Sequence, residues 1–278
     1  MQKNTERPTA VRKPSRPNPV SIIGAGTIVE DGHLPAYRML GLEIAALFDT
    51  DRNKALALGA KFAIAEQRVC GSLEQLIDMT PQDGAFDVAT PPATFPGILH
   101  ALPDGRGVLM QKPMGESLEQ ARQILSLCRK KNLTAAVNFQ LRYAPAVLEA
   151  NRLLADGLIG GIKRLALRII YPKPGTWRKD SFDRSRYKWE FTRSHPHGYF
   201  YFSFIHLLDL SRALCGEISS VRVLPDSGAG ELRQQGRKNY GLAYDSGVEA
   251  TVEFLIGDEP LYEFGLEGDR GRMRLAFP

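Results

Sequence analysis

The stretch Gly24-Ala25-Gly26 follows a short apolar run, Val20 to Ile23, and precedes a helical segment, Leu34 to Leu40. A strand, a tight glycine turn and a helix in that order aim backbone N–H groups and the positive end of a helix at a pyrophosphate. Gly24 would make the turn, and Gly26 would leave room for the phosphates. The third glycine of the pattern, which lets helix and strand pack closely, is replaced by Val29. Two glycines alone are weak support, because buried strand-turn-helix units also use them. Asp49 strengthens the reading: it closes the next apolar run, Leu42 to Phe48, 23 positions after Gly26. A carboxylate there hydrogen-bonds the adenosine ribose hydroxyls and repels a 2′-phosphate, which favours NAD over NADP.

The elements that must position this turn alternate in the first half of the chain. A helix is expected over Lys54 to Phe62. Ser72-Leu73-Glu74-Gln75 and Ser117-Leu118-Glu119-Gln120 have the form of capping boxes. AFDVAT, GVLMQKP and LTAAVNF read as strands. Leu118, Ala121, Ile124, Leu125 and Cys128 make one apolar stripe at helical spacing. Strands alternating with helices predict a parallel sheet with right-handed crossovers. After Arg142 the pattern changes to a helix, roughly Ala146 to Leu158, then IKRLALRIIY, SVRVL, VEATVEFLI, YEFGLEG and RMRLAF as strands, with one helix near 204–214. That run predicts an α+β domain with a mainly antiparallel sheet. The expected organisation is a basic, disordered tail over 1–19, a nucleotide-binding domain over 20–140 and a substrate or oligomerisation domain over 141–278. The irregular stretch 172–198 reads as a functional or mobile loop.

Composition narrows the function. The 278 residues are 43% hydrophobic and 24% charged, ordinary for a globular protein with room for two domains. Of the formal charge of +5, four units sit in the first 19 residues with four prolines, so the folded body has no strong basic field and nucleic acid is not an expected partner. No segment approaches the ~18 apolar residues of a membrane span, and the tail does not read as a secretory leader. Cys70, Cys128 and Cys215 show neither metal nor disulfide spacing, which suits a reducing cytoplasm. His195-Pro196-His197 has no third ligand pattern, so no metal is expected.

The order GAG-x-I, HLPAY, FD-x-D, ATPP, VLMQKPMGESLEQA, NFQLRYAP and IHLLDL resembles the Gfo/Idh/MocA oxidoreductases, relatives of glucose–fructose oxidoreductase and inositol dehydrogenase. The resemblance spans about residues 20–275, and its most specific element is the Lys112-Pro113 pair after a strand. It implies an N-terminal Rossmann domain that binds NAD or NADP, a second domain on an open, mainly antiparallel sheet, and hydride transfer at a hydroxyl-bearing carbon of a sugar, cyclitol or related polyol. It also implies a homo-dimer or homo-tetramer formed through the second sheet. Gly24, Gly26 and Ile28 match the family's turn, with Thr27 between them as a further cofactor contact. Asp49 matches the ribose acid, and Thr90, Pro91 and Pro92 match the segment along the cofactor. Lys112 matches the catalytic lysine and His206 the catalytic histidine. Asn138, Arg142 and Tyr143 match the domain junction.

Several positions depart from the family. Gln111 stands where glutamate is usual, although an amide still hydrogen-bonds a ribose hydroxyl. Phe95 replaces a frequent histidine. Phe202 occupies the place, one helical turn before His206, where many relatives carry an aspartate. The chain also stops at Pro278, without the further C-terminal segment of many relatives. Alcohol oxidation needs positive charge to stabilise a developing alkoxide, which suits Lys112, and a base near neutral pKa, which suits His206. Asp209, three residues on, is a candidate to orient that histidine. Trp177 and Tyr201 are candidate sugar-packing aromatics, with Trp189 and Tyr199 beside them. Two alternatives stay open: a redox-neutral lyase or glycosidase that uses NAD transiently, and a catalytically weakened NAD- or sugar-binding module.

Overall fold

The computed structural model describes residues 9–10, 15–172, 198–225, 238–257, 259 and 261–277, with the side chains at 171–172, 198–203 and 256 outside that description. Most of the tail 1–19 and nearly all of the stretch 172–198, including Trp177 and Trp189, lie outside the described residues. The chain divides between Asn138 and Phe139 into two compact units.

The first unit holds β1 (Val20–Ile23), β2 (Ile44–Phe48), β3 (Ala85–Val88), β4 (Gly107–Met110) and β5 (Thr134–Val137). They form one sheet in the order β2-β1-β3-β4-β5, with every pair parallel. A single parallel bridge from Leu47 to Val69 extends the sheet beyond β2. Counting that bridge as a reduced strand, the order is the 3-2-1-4-5-6 of a doubly wound dinucleotide fold. The crossovers carry α1 (Leu34–Leu40), α2 (Arg52–Lys61), α3 (Leu73–Met79), α4 (Phe95–Ala101) and α5 (Leu118–Lys130).

Local chemistry explains where these helices begin. Asp51 caps α2 by accepting from the N–H groups of Asn53 and Lys54. Ser72 and Ser117 accept from the N–H groups of Gln75 and Gln120, as the capping boxes predict. Each glutamine reaches back one residue further than the simple box, to the N–H of Gly71 or Glu116. The expected apolar stripe on α5 is only partly a core face. Ile124 and Cys128 are buried, whereas Leu118 and Leu125 are exposed. Periodicity marks the face that turns inward but not how far the neighbouring element extends over it.

The second unit contains α6 (Pro145–Ala155), β6 (Ile162–Pro172), α7 (Gly198–Cys215), β7 (Ile218–Val223), β8 (Lys238–Tyr244), β9 (Glu249–Gly257), β10 (Leu261–Gly268) and β11 (Arg272–Phe277). Six strands form a sheet in the order β11-β10-β6-β9-β8-β7. The neighbours are antiparallel except for β6 and β9. Alternation sends Leu165, Leu167, Ile169, Val252, Phe254, Phe264 and Leu266 to one face, in a core shared with Phe204, Leu207 and Leu210 of α7 and with Val147 and Leu154 of α6. The opposite face is charged: Arg164 pairs with Glu267, Arg168 with Glu253 and Arg274 with Glu263. β8 is a strand that the sequence reading did not anticipate.

Candidate functional site

The glycine turn sits at the carboxyl end of β1. Gly24 has φ of 110°, and a Cβ there would lie 2.6 Å from the carbonyl oxygen of Ala89, so both conformation and space demand glycine. Gly26 is exposed, and a Cβ built on it meets nothing within 4 Å. The turn is therefore open on the side from which a pyrophosphate would approach. Asp49 is held against the turn: one carboxylate oxygen accepts from the N–H of Ala25 at 2.7 Å and the other from the N–H of Asp51 at 2.8 Å.

Val29 is fully buried and packs with Ile22, Leu34, Leu47 and Leu58. It opens a five-residue π-helical turn, Val29–His33, ahead of α1. Turns of this kind are rare and occur mostly at functional sites. Thr27 and Ile28 lie on the turn, Ile28 exposed.

The next strand ends converge on the same edge of the sheet. After β3, Thr94 donates to the carbonyl of Pro91 at 2.8 Å, so the 2.7 Å contact between Thr90 and Thr94 has Thr90 as donor. These bonds order the segment Thr90, Pro91, Pro92. Phe95 is fully buried in the core, which makes it a packing residue. After β4, the Gln111 N–H bonds to the carbonyl of Val88 at 3.0 Å and carries the chain past the sheet into Lys112, whose bond to Pro113 is cis. Asn138 follows β5, its N–H on the carbonyl of Met110 at 2.8 Å.

Three residues to which the sequence reading gave no role join this edge. His33 Nδ1 lies 2.6 Å from Asp87 Oδ2, and the Tyr37 hydroxyl donates to that same oxygen at 2.8 Å. The amide nitrogen of Gln111 is 2.6 Å from His33 Nε2, and that of Asn138 is 3.2 Å away. His33 and Asp87 are 7% and 1% exposed. Burial, reinforced by the Asp87 charge and hydrogen bond, pushes the Tyr37 hydroxyl pKa far above its ordinary value. The available signal was Asp87 itself, a charged residue inside the buried strand AFDV. The open Gly26, the positive-φ Gly24 and the fixed Asp49 fit a dinucleotide. Gln111, Lys112 and Asn138 reach the same carboxyl edge, where doubly wound sheets receive ligands.

In the second unit, a short 3₁₀ turn, Gln140–Tyr143, leads into α6. Arg142 from that turn forms a two-pronged ion pair with Asp209 of α7, Nε to Oδ2 at 2.6 Å and the terminal nitrogen to Oδ1 at 2.5 Å. The hydrogen bond to Asp209 raises the Arg142 pKa further. Both Asp209 oxygens therefore face a guanidinium, a partner that the sequence reading did not give this carboxylate. The His206 ring, half-buried on α7, meets Phe139 edge-on, with centroids 6.2 Å apart and an interplanar angle of 90°. Tyr143 is 55% exposed. Tyr201 and Phe202 fall on α7, with side chains outside the described residues.

The ion pair is asymmetric, the Asp209 side chain being 5% exposed and that of Arg142 38%. Arg142→Ala strands a buried carboxylate and is expected to cost about 3 kcal/mol. Asp209→Ala leaves a guanidinium that reaches water and is expected to cost about 1 kcal/mol. Urea midpoints at unchanged m-value check the order; equal losses would show that burial does not set the cost.

Comparison with known proteins follows the same division. Residues 19–139 match the family described as oxidoreductase family, NAD-binding Rossmann fold, and residues 147–274 match the GFO/IDH/MocA C-terminal domain. A D-apiose dehydrogenase from Paraburkholderia graminis is 24% identical over 92% of this chain and 67% of its own length. The NADP(+)-linked D-xylose 1-dehydrogenase of Haloarcula marismortui is 28% identical over 59% of this chain and 48% of its own. The chain thus spans about two thirds of one relative and about half of the other. The WlbA dehydrogenase from Bordetella pertussis, solved with NADH and UDP-GlcNAcA, superposes with a TM-score of 0.71 at 20% identity, covering 94% of this chain and 79% of that one. At that identity the likeness concerns the fold. The two matched regions account for nearly all of the described residues, and the chain belongs to the Gfo/Idh/MocA oxidoreductase family.

Proposed function

We propose that the chain is an NAD(H)-dependent oxidoreductase that transfers a hydride between nicotinamide and a hydroxyl-bearing carbon of a sugar, cyclitol or related polyol. The observation that carries this reading is the presence of Lys112 on the same sheet edge as the open Gly24–Gly26 turn and the fixed Asp49. NAD, when bound, supplies the hydride acceptor. Gly24 and Gly26 would admit the pyrophosphate, with Thr27, Ile28, Thr90, Pro91 and Pro92 along it. Asp49 would take the adenosine ribose hydroxyls and disfavour a 2′-phosphate. Lys112 would stabilise negative charge on the substrate oxygen, and His206 would accept its proton. Arg142 and Asp209 would hold α7, and so His206, in place. The D-apiose and D-xylose dehydrogenases among the relatives support the sugar class.

Three free, buried cysteines support a reducing, cytoplasmic setting. Among the described residues, no helix is long and apolar enough to cross a membrane. The charged face of the second sheet alternates Arg and Glu around Ala166, Thr251 and Gly265. We assign this face to a second copy of the chain, set against its own equivalent across a two-fold axis.

The test is NADH absorbance over a panel of sugars and polyols, with light scattering run on the same samples to check that the chain is a dimer or larger. Net NADH formation supports the reading. Product release without net NADH points to redox-neutral chemistry, and NADH binding without turnover points to a binding module. NADPH bound as tightly as NADH would remove the Asp49 argument.

A further inference from the structure

The polar cluster around His33 draws on four separate parts of the first unit. His33 comes from the π-helical turn after β1, Asp87 from β3, Gln111 from just beyond β4 and Asn138 from just beyond β5. Its hydrogen bonds fix a tautomer. A primary amide nitrogen donates and never accepts. His33 Nε2 faces two of them, those of Gln111 and Asn138, so it is a bare lone pair shared between two donors. The ring proton is therefore on Nδ1, where it is donated to Asp87 at 2.6 Å. Tyr37 donates to the same carboxylate oxygen.

This arrangement is costly as a purely structural device. Asp87 is 1% exposed, and its Oδ1 has no hydrogen-bond partner among the described residues. Replacing such a group by an apolar residue of similar size is often neutral or stabilising. What the cluster does achieve is a choice of direction. An amide has a donor end and an acceptor end of nearly equal shape, and only its neighbours decide which end faces where. With both nitrogens turned to His33, Gln111 Oε1 and Asn138 Oδ1 remain as acceptors, neither bonded among the described residues.

We propose that His33, locked by Asp87, is a positioning residue that turns the carbonyl ends of Gln111 and Asn138 toward ligand hydroxyls at the carboxyl edge of the sheet. The hydroxyls are those of a dinucleotide ribose, so the inference rests on the NAD-binding reading above. It accounts for Gln111 beside Lys112. A glutamate presents an acceptor whichever way it turns, whereas a glutamine presents one only if something holds its nitrogen elsewhere.

The test is a mutant cycle read by NADH dissociation constants from fluorescence titration, with thermal melting to confirm folding. His33→Leu is expected to weaken NADH binding about tenfold when residue 111 is glutamine, because two amides lose their fixed direction. In the Gln111→Glu background the same replacement is expected to cost no more than about threefold, since a carboxylate needs no orienting. Equal losses in both backgrounds would reduce His33 to a packing residue and overturn the proposal.

A second readout needs no cofactor. Long-range ¹H–¹⁵N correlation spectra of the wild-type chain, with the His33 signal assigned by its loss in His33→Gln, should show a neutral ring protonated on Nδ1. A ring protonated on Nε2 overturns the proposal even if NADH binds. A wild-type chain that binds no NADH overturns the dinucleotide reading, and with it the ligand named here.

Discussion

Lys112→Met is expected to lower turnover about 1,000-fold while NADH binding stays within about threefold of wild type. Methionine keeps the length and most of the apolar stem of lysine but carries no charge. The ammonium is expected to act on the oxygen that becomes an alkoxide, a charge far larger in the transition state than in the bound alcohol. Interactions that strengthen only in the transition state appear in turnover rather than in ground-state affinity. The position favours this role: Gln111 extends the ladder from β4 and Lys112 leaves it at the sheet's carboxyl edge. Steady-state rates with the best compound of the panel, beside fluorescence titration of NADH, separate the two effects. Unchanged turnover would remove the lysine from the chemistry, and loss of NADH affinity in step with turnover would make it a cofactor ligand alone.

The two glycines of the first turn are expected to fail in opposite ways. Gly26→Val should melt within a few degrees of wild type, about 0.5 kcal/mol or less, yet lose at least about 100-fold in NADH affinity by occupying the phosphate space. Its backbone is outside the left-handed region, and its Cβ position is empty to 4 Å. Gly24→Ala should lose about 3 kcal/mol from left-handed strain and from the approach to Ala89, whose carbonyl oxygen would sit 2.6 Å from the new Cβ. Thermal melts and NADH titrations of both variants check the contrast. A Gly26→Val protein that binds NADH normally would place the phosphates elsewhere.

Much of the first unit was legible because its signals are local. The run Val20–Ile23 before two glycines, the helix Leu34–Leu40 and the two serine caps follow from neighbours within a few residues, and the parallel sheet follows from the alternation of strands with helices. The second unit was legible as a mainly antiparallel sheet, but β8 was missed. KNYGLAY carries Gly241 at its centre and offers only a brief alternation. The π-helical turn was not legible either, since it has no single-residue signature. The His33 cluster was invisible for another reason. His33 and Asp87 are 54 positions apart and His33 and Asn138 are 105 apart, and no spacing rule joins such partners before the sheet order is known. Asp209 is a similar case, since helical spacing pointed only to His206 while the fold also pairs it with Arg142, 67 positions earlier.

The long reach of the His33 cluster also bears on how the first unit comes into being. Asp87 enters the sheet between β1 and β4, but its histidine partner is held by amides that follow β4 and β5. A half-assembled sheet would already enclose the carboxylate while the groups that hold its partner were still solvated. His33 and Tyr37 precede Asp87 in the chain and can already meet it there, but His33 Nε2 gains its two amide neighbours only when the segments after β4 and β5 are in place. The cluster thus ties the first strands of the nucleotide unit to its last across 105 positions of chain.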